Sequence, residues 1–149
     1  LGWLAEVGRA RRGGCPGLGR RLLTHVRDVM RTGEAIPRVM QNASFVDALM
    51  EISRKGMGMA AICDADNKVL GIFTDGDLRR LLERSSDIRS LGIAEVMHAN
   101  PRRIGPDALA VEAAEMMDRH RITQVLVCDE DGVLLGALNA HDLMQAKVI

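Results

Sequence analysis

A hydroxyl and two carboxylates stand where an apolar strand runs into an amphipathic helix, in the segment GIFTDGDLRRLL at residues 71–82. Thr74, Asp75 and Asp77 could cap this helix, because their oxygens accept hydrogen bonds from the unpaired N–H groups of a first turn. They could also bind a ligand, since a helix N-terminus attracts phosphate and a carboxylate accepts hydrogen bonds from ribose hydroxyls. The segment by itself allows both roles.

Composition excludes several classes of function. The 149 residues are 47% hydrophobic, which is enough for one compact domain or two small ones with a shared core. The formal net charge is zero and aromatic residues make up 2%, so we expect no binding to nucleic acid or to an acidic membrane. The sequence has no apolar run of about 18 residues and no signal-peptide pattern, so we expect a cytoplasmic protein that does not span a membrane.

The cysteines and histidines do not form a catalytic or metal-binding pattern. The cysteines have neither metal-ligand nor disulfide-framework spacing, so we expect small buried thiols and no metal site. The histidines are expected at helix ends and turns, and no Ser/Thr-rich phosphate loop is present, so we expect no catalytic residue in this chain. These cysteines and histidines are Cys15, Cys63, Cys128, His25, His98, His120 and His141.

An internal repeat dominates the chain. Residues 59–82 match residues 124–147 at a shift of 65, which aligns Asp77 with Asp142. The same register aligns FVDALMEISRKG with AVEAAEMMDRHR, and a shift of 67 aligns VRDVM with IAEVM. Such a repeat sets the architecture of a protein before any local signal does.

The domain boundaries follow from this repeat and from the N-terminal composition. Residues 1–20 are rich in arginine and glycine and are predicted to be a solvated linker, with a nucleic-acid arm as the less favoured alternative. A helix is predicted from about Leu18 to Met30. We predict one repeat over residues 21–84 and the second over residues 85–149.

Each unit is predicted to contain two helices and two short strands joined by a hairpin-like turn. The helical spacing of apolar residues follows the candidate N-caps Ser44 and Asp107. One such unit cannot bury its apolar face alone. We therefore predict an α/β (α+β) fold in which two β-α-β-β-α units pack sheet against sheet with pseudo-twofold symmetry. The strands and closing helices are predicted at 59–63, 69–74 and 75–84, and at 124–128, 133–138 and 140–146.

The two units, each ending in G-h-h-[T/N]-x-x-D-L, resemble a tandem CBS-domain pair, the Bateman module. More specifically, VRDVMRTGEAIPRV, GIFTDGDLRRLLE and GALNAHDLMQAKVI resemble the C-terminal half of the D-arabinose 5-phosphate isomerase family. The segment PGLGRRLL is similar to the join between that family's catalytic SIS domain and its CBS pair. The resemblance implies a regulatory module attached to its own N-terminal SIS domain, in the biosynthesis of the lipopolysaccharide sugar 3-deoxy-manno-octulosonate (Kdo).

The resemblance also implies two nucleotide clefts with one pair of motif residues in each. Thr74 would bind phosphate and Asp77 the ribose hydroxyls in the first cleft. Asn139 and Asp142 would take these roles in the second cleft. His141 adds bulk and a positive charge, so we expect the second entrance to be narrower and more basic than the first.

Four arginines lie close to these motifs in the sequence. We expect Arg102 and Arg103 to approach an acidic ligand in the second cleft, and Arg79 and Arg80 to do so in the first. A solvated helix face is the alternative for all four. A carboxylated nucleotide is therefore expected to prefer the second cleft, and a small neutral-headed nucleotide the cleft of Asp77.

We expect this chain to be a regulatory sensor of a nucleotide or nucleotide sugar and not an enzyme by itself. Feedback logic favours the pathway end product CMP-Kdo, and AMP or ATP is the generic alternative. A ligand-free dimerisation module is the alternative of a different class. We expect a homodimer because the helices carry more apolar residues than one small core needs. These residues are Met50, Leu81, Leu82, Met116 and Met144.

Overall fold

The computed structural model describes residues 23–84, 87 and 90–148. The order β-α-β-β-α occurs twice, as predicted, although β7 begins and ends one residue later and α6 ends one residue earlier than expected. The helices are α1 (Val26–Val29), α2 (Phe45–Lys55), α3 (Asp75–Arg84), α4 (Ile93–Val96), α5 (Ala110–His120) and α6 (Ala140–Gln145). The strands are β1 (Arg38–Met40), β2 (Met59–Cys63), β3 (Val69–Thr74), β4 (His98–Ala99), β5 (Arg103–Ile104), β6 (Gln124–Cys128) and β7 (Leu134–Asn139).

The described strands form two sheets of equivalent topology. In the first sheet, of order β1-β2-β3-β4, β1 is parallel to β2 and the other neighbours are antiparallel. In the second sheet, of order β5-β6-β7, β5 is parallel to β6 and β7 is antiparallel to it. Both hairpins have a register shift at the same repeat position, just before Cys63 and just before Cys128. The sequence repeat is thus also a repeat of backbone pairing.

The two sheets pack against each other through their inner faces, as predicted. At the hairpin ends their backbones also meet, because the Val69 N–H donates to the Gly132 carbonyl at 3.0 Å and the Leu134 N–H donates to the Asn67 carbonyl at 2.9 Å. These two bonds occupy equivalent repeat positions, which is the predicted pseudo-twofold symmetry. The buried cluster between the sheets contains Met59, Ala61, Cys63, Ile72, Leu126, Cys128, Leu134 and Ala137.

Helices cover the outer face of each sheet. On the first sheet, Phe45 of α2 and Phe73 of β3 are fully buried, and their rings meet edge to face with centroids 5.5 Å apart. On the second sheet, α5, α6 and α1 pack over β6 and β7 in one buried cluster. The molecule therefore has an inner core between the sheets and an outer core under each helical layer.

The short segments that precede β1 and β5 are exchanged between the repeats. The Val26 N–H donates to the Ala108 carbonyl at 2.8 Å, and Arg31 and Ala137 exchange two backbone hydrogen bonds of 2.8 and 3.1 Å. The equivalent segment, with α4 and β4, pairs with β3 of the first sheet. This close approach needs Gly136, where a Cβ would lie 2.8 Å from the Arg31 carbonyl oxygen. The boundary between the two predicted units itself stays a prediction.

The predicted helix caps are correct in part. Ser44 caps α2, since its Oγ accepts from an N–H of the first turn at 3.1 Å. Asp107 is not the cap of α5, so that prediction is wrong. The helix begins after Leu109, whose N–H donates to the Glu112 carboxylate at 2.7 Å, and Asp107 instead pairs with Arg27 of the exchanged segment.

The helix predicted from Leu18 to Met30 is wrong over much of its described part. Only Val26–Val29 is helical, and the backbone of His25 is extended. The reason is tertiary, because His25 forms an antiparallel bridge with Leu109 in the other repeat. The start of the predicted helix, the predicted linker and one of the three cysteines lie outside the described residues.

The two cysteines in the described part of the chain have the environment that the sequence predicts. Cys63 and Cys128 are buried, as predicted, and burial raises the pKa of the Cys63 thiol to about 11. Burial also raises the pKa of Cys128.

The apolar residues predicted to be available for a dimer interface divide into two groups. Met50, Leu82 and Met144 are exposed. The prediction is wrong for Leu81, which is buried under α3, and for Met116, which is partly buried against the outer core of the second sheet. The helical period alone could not separate Leu81 from Leu82, because they follow Leu78 by three and four residues and so fit the same apolar stripe equally well.

Candidate ligand-binding cleft

Thr74 and Asp77 form a reciprocal cap at the start of α3. The Asp77 N–H donates to the Thr74 Oγ1 at 3.2 Å, and the Thr74 N–H donates to the Asp77 Oδ2 at 3.0 Å. In such a capping box, two otherwise unpaired N–H groups are satisfied by side chains. The capping role considered for GIFTDGDLRRLL is therefore confirmed. Both side chains also line a cleft, so capping does not remove them from contact with a ligand.

This cleft has a volume of about 300 Å³ and is built from both repeats. The junction of β3 with α3 forms one wall, β4 and the loop after it form another, and the end of α5 with the start of β6 forms the third. Its apolar lining comes from Ile72, Pro101 and Ile122. Its polar lining comes from Thr74, Asp77, Arg80, His98, Arg102, His120 and Gln124.

Basic side chains outnumber acidic ones among the described lining residues of this cleft. Two guanidinium groups and two imidazoles face one carboxylate, that of Asp77. Arg80 pairs with Asp77, but 65% of the Arg80 side chain is exposed, so water screens the pair. Desolvation, and then the charges of Arg102 and Arg119, lower the pKa of His120. Because a lowered pKa favours the neutral imidazole of His120, the positive charge that suits an anionic ligand comes from the guanidinium groups of Arg80 and Arg102.

The equivalent position in the second repeat is filled by the protein itself. Asn139 caps α6, because its Oδ1 accepts from the Asp142 N–H at 2.7 Å. Asp142, the equivalent of Asp77, accepts two hydrogen bonds from Arg31, from Nε at 3.0 Å and from Nη2 at 3.2 Å. Arg31 Nη1 also donates to the Lys55 carbonyl oxygen at 3.0 Å. The carboxylate predicted for the second cleft is thus engaged by a fixed side chain.

The predicted positions of Arg102 and Arg103 are wrong. Arg102 lines the cleft of Thr74 and Asp77, because it follows β4, which pairs with β3 of the first repeat. Arg103 lies at another surface, near Cys128 and the turn that follows β6. The structure therefore gives the extra basic charge to the first cleft.

Arg79 and His141 also lie away from this cleft. Arg79 is exposed on α3, and its neighbour Arg80 is the arginine that lines the cleft. His141 is exposed on α6, where its Nε2 lies 3.4 Å from the Nε2 of Gln145. Of the residues predicted to meet a ligand, the structure brings together Thr74, Asp77, Arg80 and Arg102.

Three polar lining residues were not predicted from the sequence. These are His98, His120 and Gln124, which enter the cleft from β4, the end of α5 and the start of β6. A signal was available in departures from the repeat: Gln124 stands where the first repeat has the apolar Met59, and His120 stands where it has Lys55. A polar residue that replaces an apolar core residue in one repeat only is a useful indicator of such a site.

No group of three or more His, Cys, Asp or Glu side chains in the described part of the chain is arranged to hold a metal ion. Across the same residues, no helix combines the length and the apolar character that crossing a membrane requires. The groups that a ligand meets in the cleft are a hydroxyl, a carboxylate, an amide, two imidazoles and two guanidinium groups.

Sequence comparisons identify a family pattern and several similar proteins. The CBS-domain pattern matches residues 26–84 and 93–149. Over 132 residues the chain is 52% identical to the arabinose 5-phosphate isomerase KdsD of Salmonella typhi, and 46% identical to that of Pseudomonas aeruginosa. Each alignment covers 89% of this chain and 40% of the relative, so the chain spans about 40% of the length of these curated relatives.

Solved structures share the fold. A putative acetoin utilization protein, AcuB, from Vibrio cholerae matches with a TM-score of 0.75 and 27% identity over 85% of this chain and 92% of that one. CBSX2 in complex with AMP matches with a TM-score of 0.71 and 20% identity, over 84% of this chain and 96% of CBSX2. The CBS domain pair of protein MJ0100, in complex with 5′-methylthioadenosine and S-adenosyl-L-methionine, matches with a TM-score of 0.74 and 22% identity. The match covers 84% of this chain and 96% of that one. Because the CBS-domain pattern matches both repeats of this chain and the two repeats pack as one pair, the chain belongs to the CBS-domain family.

Proposed function

We propose that this chain is a regulatory CBS pair that binds a nucleotide or nucleotide sugar in the cleft of Thr74 and Asp77. The observation that carries the proposal is a helix N-terminus, a carboxylate and an excess of basic groups around one cleft of about 300 Å³. The AMP complex of CBSX2 and the adenosyl complexes of MJ0100 support a nucleotide, because all of these ligands contain a ribose.

The class of ligand follows from the charges in the cleft. Asp77 can accept hydrogen bonds from a ribose diol, and Thr74 with the N-terminus of α3 suits a phosphate. Arg80 and Arg102 suit a further anionic group, because charge-assisted hydrogen bonds are stronger than neutral ones. CMP-Kdo has a ribose, a phosphate and a carboxylate, whereas AMP and ATP have only the first two. We therefore favour CMP-Kdo, in the first cleft rather than the second.

The regulated activity is proposed from the relatives. The curated relatives are arabinose 5-phosphate isomerases, and this chain spans about 40% of their length. We infer that a SIS domain of the parent protein performs the isomerisation and that the CBS pair couples it to the level of the ligand. Feedback from CMP-Kdo would match the supply of D-arabinose 5-phosphate to the demand for Kdo in lipopolysaccharide.

A thermal-shift and calorimetric panel tests this function. The panel contains AMP, ATP, CMP, Kdo and CMP-Kdo, and CMP-Kdo is expected to raise the melting temperature most. A ligand present at a hundred times its Kd stabilises the folded state by about 2.7 kcal/mol. CMP and Kdo, alone and mixed, are the matched controls, since neither brings the ribose and the carboxylate in one molecule.

The outcomes of the panel separate the proposed functions. A larger shift with AMP or ATP than with CMP-Kdo would favour the generic adenine-nucleotide sensor. The absence of any shift at millimolar concentration would contradict a sensing role and favour the ligand-free dimerisation module.

We also propose that the chain forms a homodimer. Met50 on α2, Leu82 on α3 and Met144 on α6 are 55%, 56% and 59% exposed, so three helices present apolar side chains that a second chain could cover. Light scattering is expected to give twice the chain mass of 16.3 kDa. A monomer mass at high concentration would contradict the dimer. Met50→Lys should shift a true dimer toward monomer, whereas the substitution of exposed Ser53→Lys on the same helix should not.

A further inference from the structure

We propose that the second repeat contains a latent nucleotide site that Arg31 holds closed. The proposal rests on the proposed function, because it takes the first cleft as a nucleotide site and the second as its equivalent. Asn139 and Asp142 occupy the repeat positions of Thr74 and Asp77, and Asn139 caps its helix as Thr74 does. The groups that suit phosphate and ribose are therefore present in both repeats.

Arg31 donates two hydrogen bonds to the Asp142 carboxylate, as the two hydroxyls of a ribose diol would. Both carboxylate oxygens of Asp142 are used, at 3.0 and 3.2 Å, in the bidentate geometry that a guanidinium and a carboxylate form best. The Arg31 and Asp142 side chains are 26% and 17% exposed, whereas the Arg80 partner of Asp77 is 65% exposed. A ligand can displace Arg80 into water easily, but displacing Arg31 separates a largely desolvated pair.

Further contacts hold Arg31 in this position. Its third donor binds the Lys55 carbonyl at the end of α2. The Lys55 ammonium lies 3.7 Å from the buried Glu51 carboxylate and donates to the Glu34 carbonyl. These bonds tie the end of α2 to the 3-10 turn Gly33–Ala35 that follows Arg31. Closure is therefore a connected set of contacts and not one surface side chain.

The pseudo-twofold symmetry identifies the residue that makes the two clefts differ. Arg31 pairs with Ala137 of β7, and His98 pairs with Ile72 of β3 at the equivalent position. His98 lines the open first cleft, and Asp77 there is paired with Arg80 of its own helix. The repeat position of Arg80 is Gln145, which carries no charge, so the partner of Asp142 comes from Arg31.

Exchanging these two residues tests the proposal. Calorimetry with AMP is expected to give one site per chain for the wild type and two sites for Arg31→His. The reciprocal variant His98→Arg should weaken binding at the first cleft at least tenfold. In an Asp77→Ala background, which weakens binding at the first cleft, adding Arg31→His should add one AMP site that the single variant lacks. Melting temperatures of all variants check that they fold, and Arg31→Gln is the second opening variant.

Each outcome has a defined meaning. An unchanged stoichiometry in a folded Arg31→His or Arg31→Gln chain, together with no added site in the Asp77→Ala background, would overturn the latent site. Binding gained by Arg31→His when the wild type binds no nucleotide of the panel would support the latent site and contradict the proposed function of the first cleft. Arg31→Lys keeps the charge but loses the bidentate geometry, so it should open the second site less than Arg31→His does.

Discussion

The Asp77→Ala variant is expected to bind the best nucleotide of the panel about five- to a hundredfold more weakly than the wild type. A carboxylate that accepts hydrogen bonds from a ribose diol in a partly enclosed cleft contributes on the order of 1–3 kcal/mol, which corresponds to that range of affinity. Asp142→Ala is expected to leave the affinity unchanged, because Arg31 already occupies that carboxylate. Isothermal titration calorimetry of the two variants measures both values.

Stability should respond in the opposite order. Asp142→Ala leaves the partly buried guanidinium of Arg31 without its partner, which costs on the order of 1–3 kcal/mol. Asp77→Ala removes one bond of the α3 cap, which costs about 1 kcal/mol. Glu83→Ala removes an exposed carboxylate from the same helix and is the control for net charge. Equal affinity losses in both Asp variants would contradict the asymmetry, and no loss in either would leave capping as the role of Asp77.

The repeat made most of the fold predictable. Alternation and turn residues located the two hairpins, and the shift of 65 required the second half to fold as the first does. Apolar strands flanked by helical patterns then required two sheets packed face to face, since a single unit has too little core. The same shift carried Thr74 and Asp77 onto Asn139 and Asp142, so both helix-starting pairs could be named before their geometry was known.

Several of the errors share one physical source, which is the exchange of segments between the repeats. The extended backbone of His25 depends on Leu109, and the place of Arg102 depends on the pairing of β4 with β3. The contact between Arg31 and Asp142 joins residues 111 positions apart. No local pattern encodes such pairings, because propensity and periodicity report only on neighbours along the chain. The sequence therefore predicted the two motifs but not which loop reaches which motif.

Phe73→Ala is expected to lower the free energy of unfolding by about 3–5 kcal/mol, the largest stability effect predicted for this chain. Phe73 is fully buried and meets the fully buried Phe45 edge to face at 5.5 Å, so the variant loses both its packing and an aromatic pair. The repeat equivalents of Phe73 and Phe45 are Leu138 and Ala110, so the outer core of the second sheet has no aromatic pair at this position. Urea unfolding at one fixed protein concentration measures the loss, and the fixed concentration keeps the wild type and the variants comparable if the chain is a dimer.

Two further substitutions make the stability prediction specific to burial. Met40→Ala removes an apolar side chain that is 43% exposed on β1, outside the proposed dimer surface, and it should change the free energy of unfolding by no more than about 0.5 kcal/mol. Phe73→Leu keeps most of the volume but loses the ring contact, and it should cost about 1–2 kcal/mol, which keeps the test informative if the alanine variant does not fold. A cost below about 1 kcal/mol for Phe73→Ala would contradict the outer core described here. An effect of Met40→Ala as large as that of Phe73→Ala would contradict burial as the cause of the loss, because a side chain that stays partly in water contributes little hydrophobic free energy.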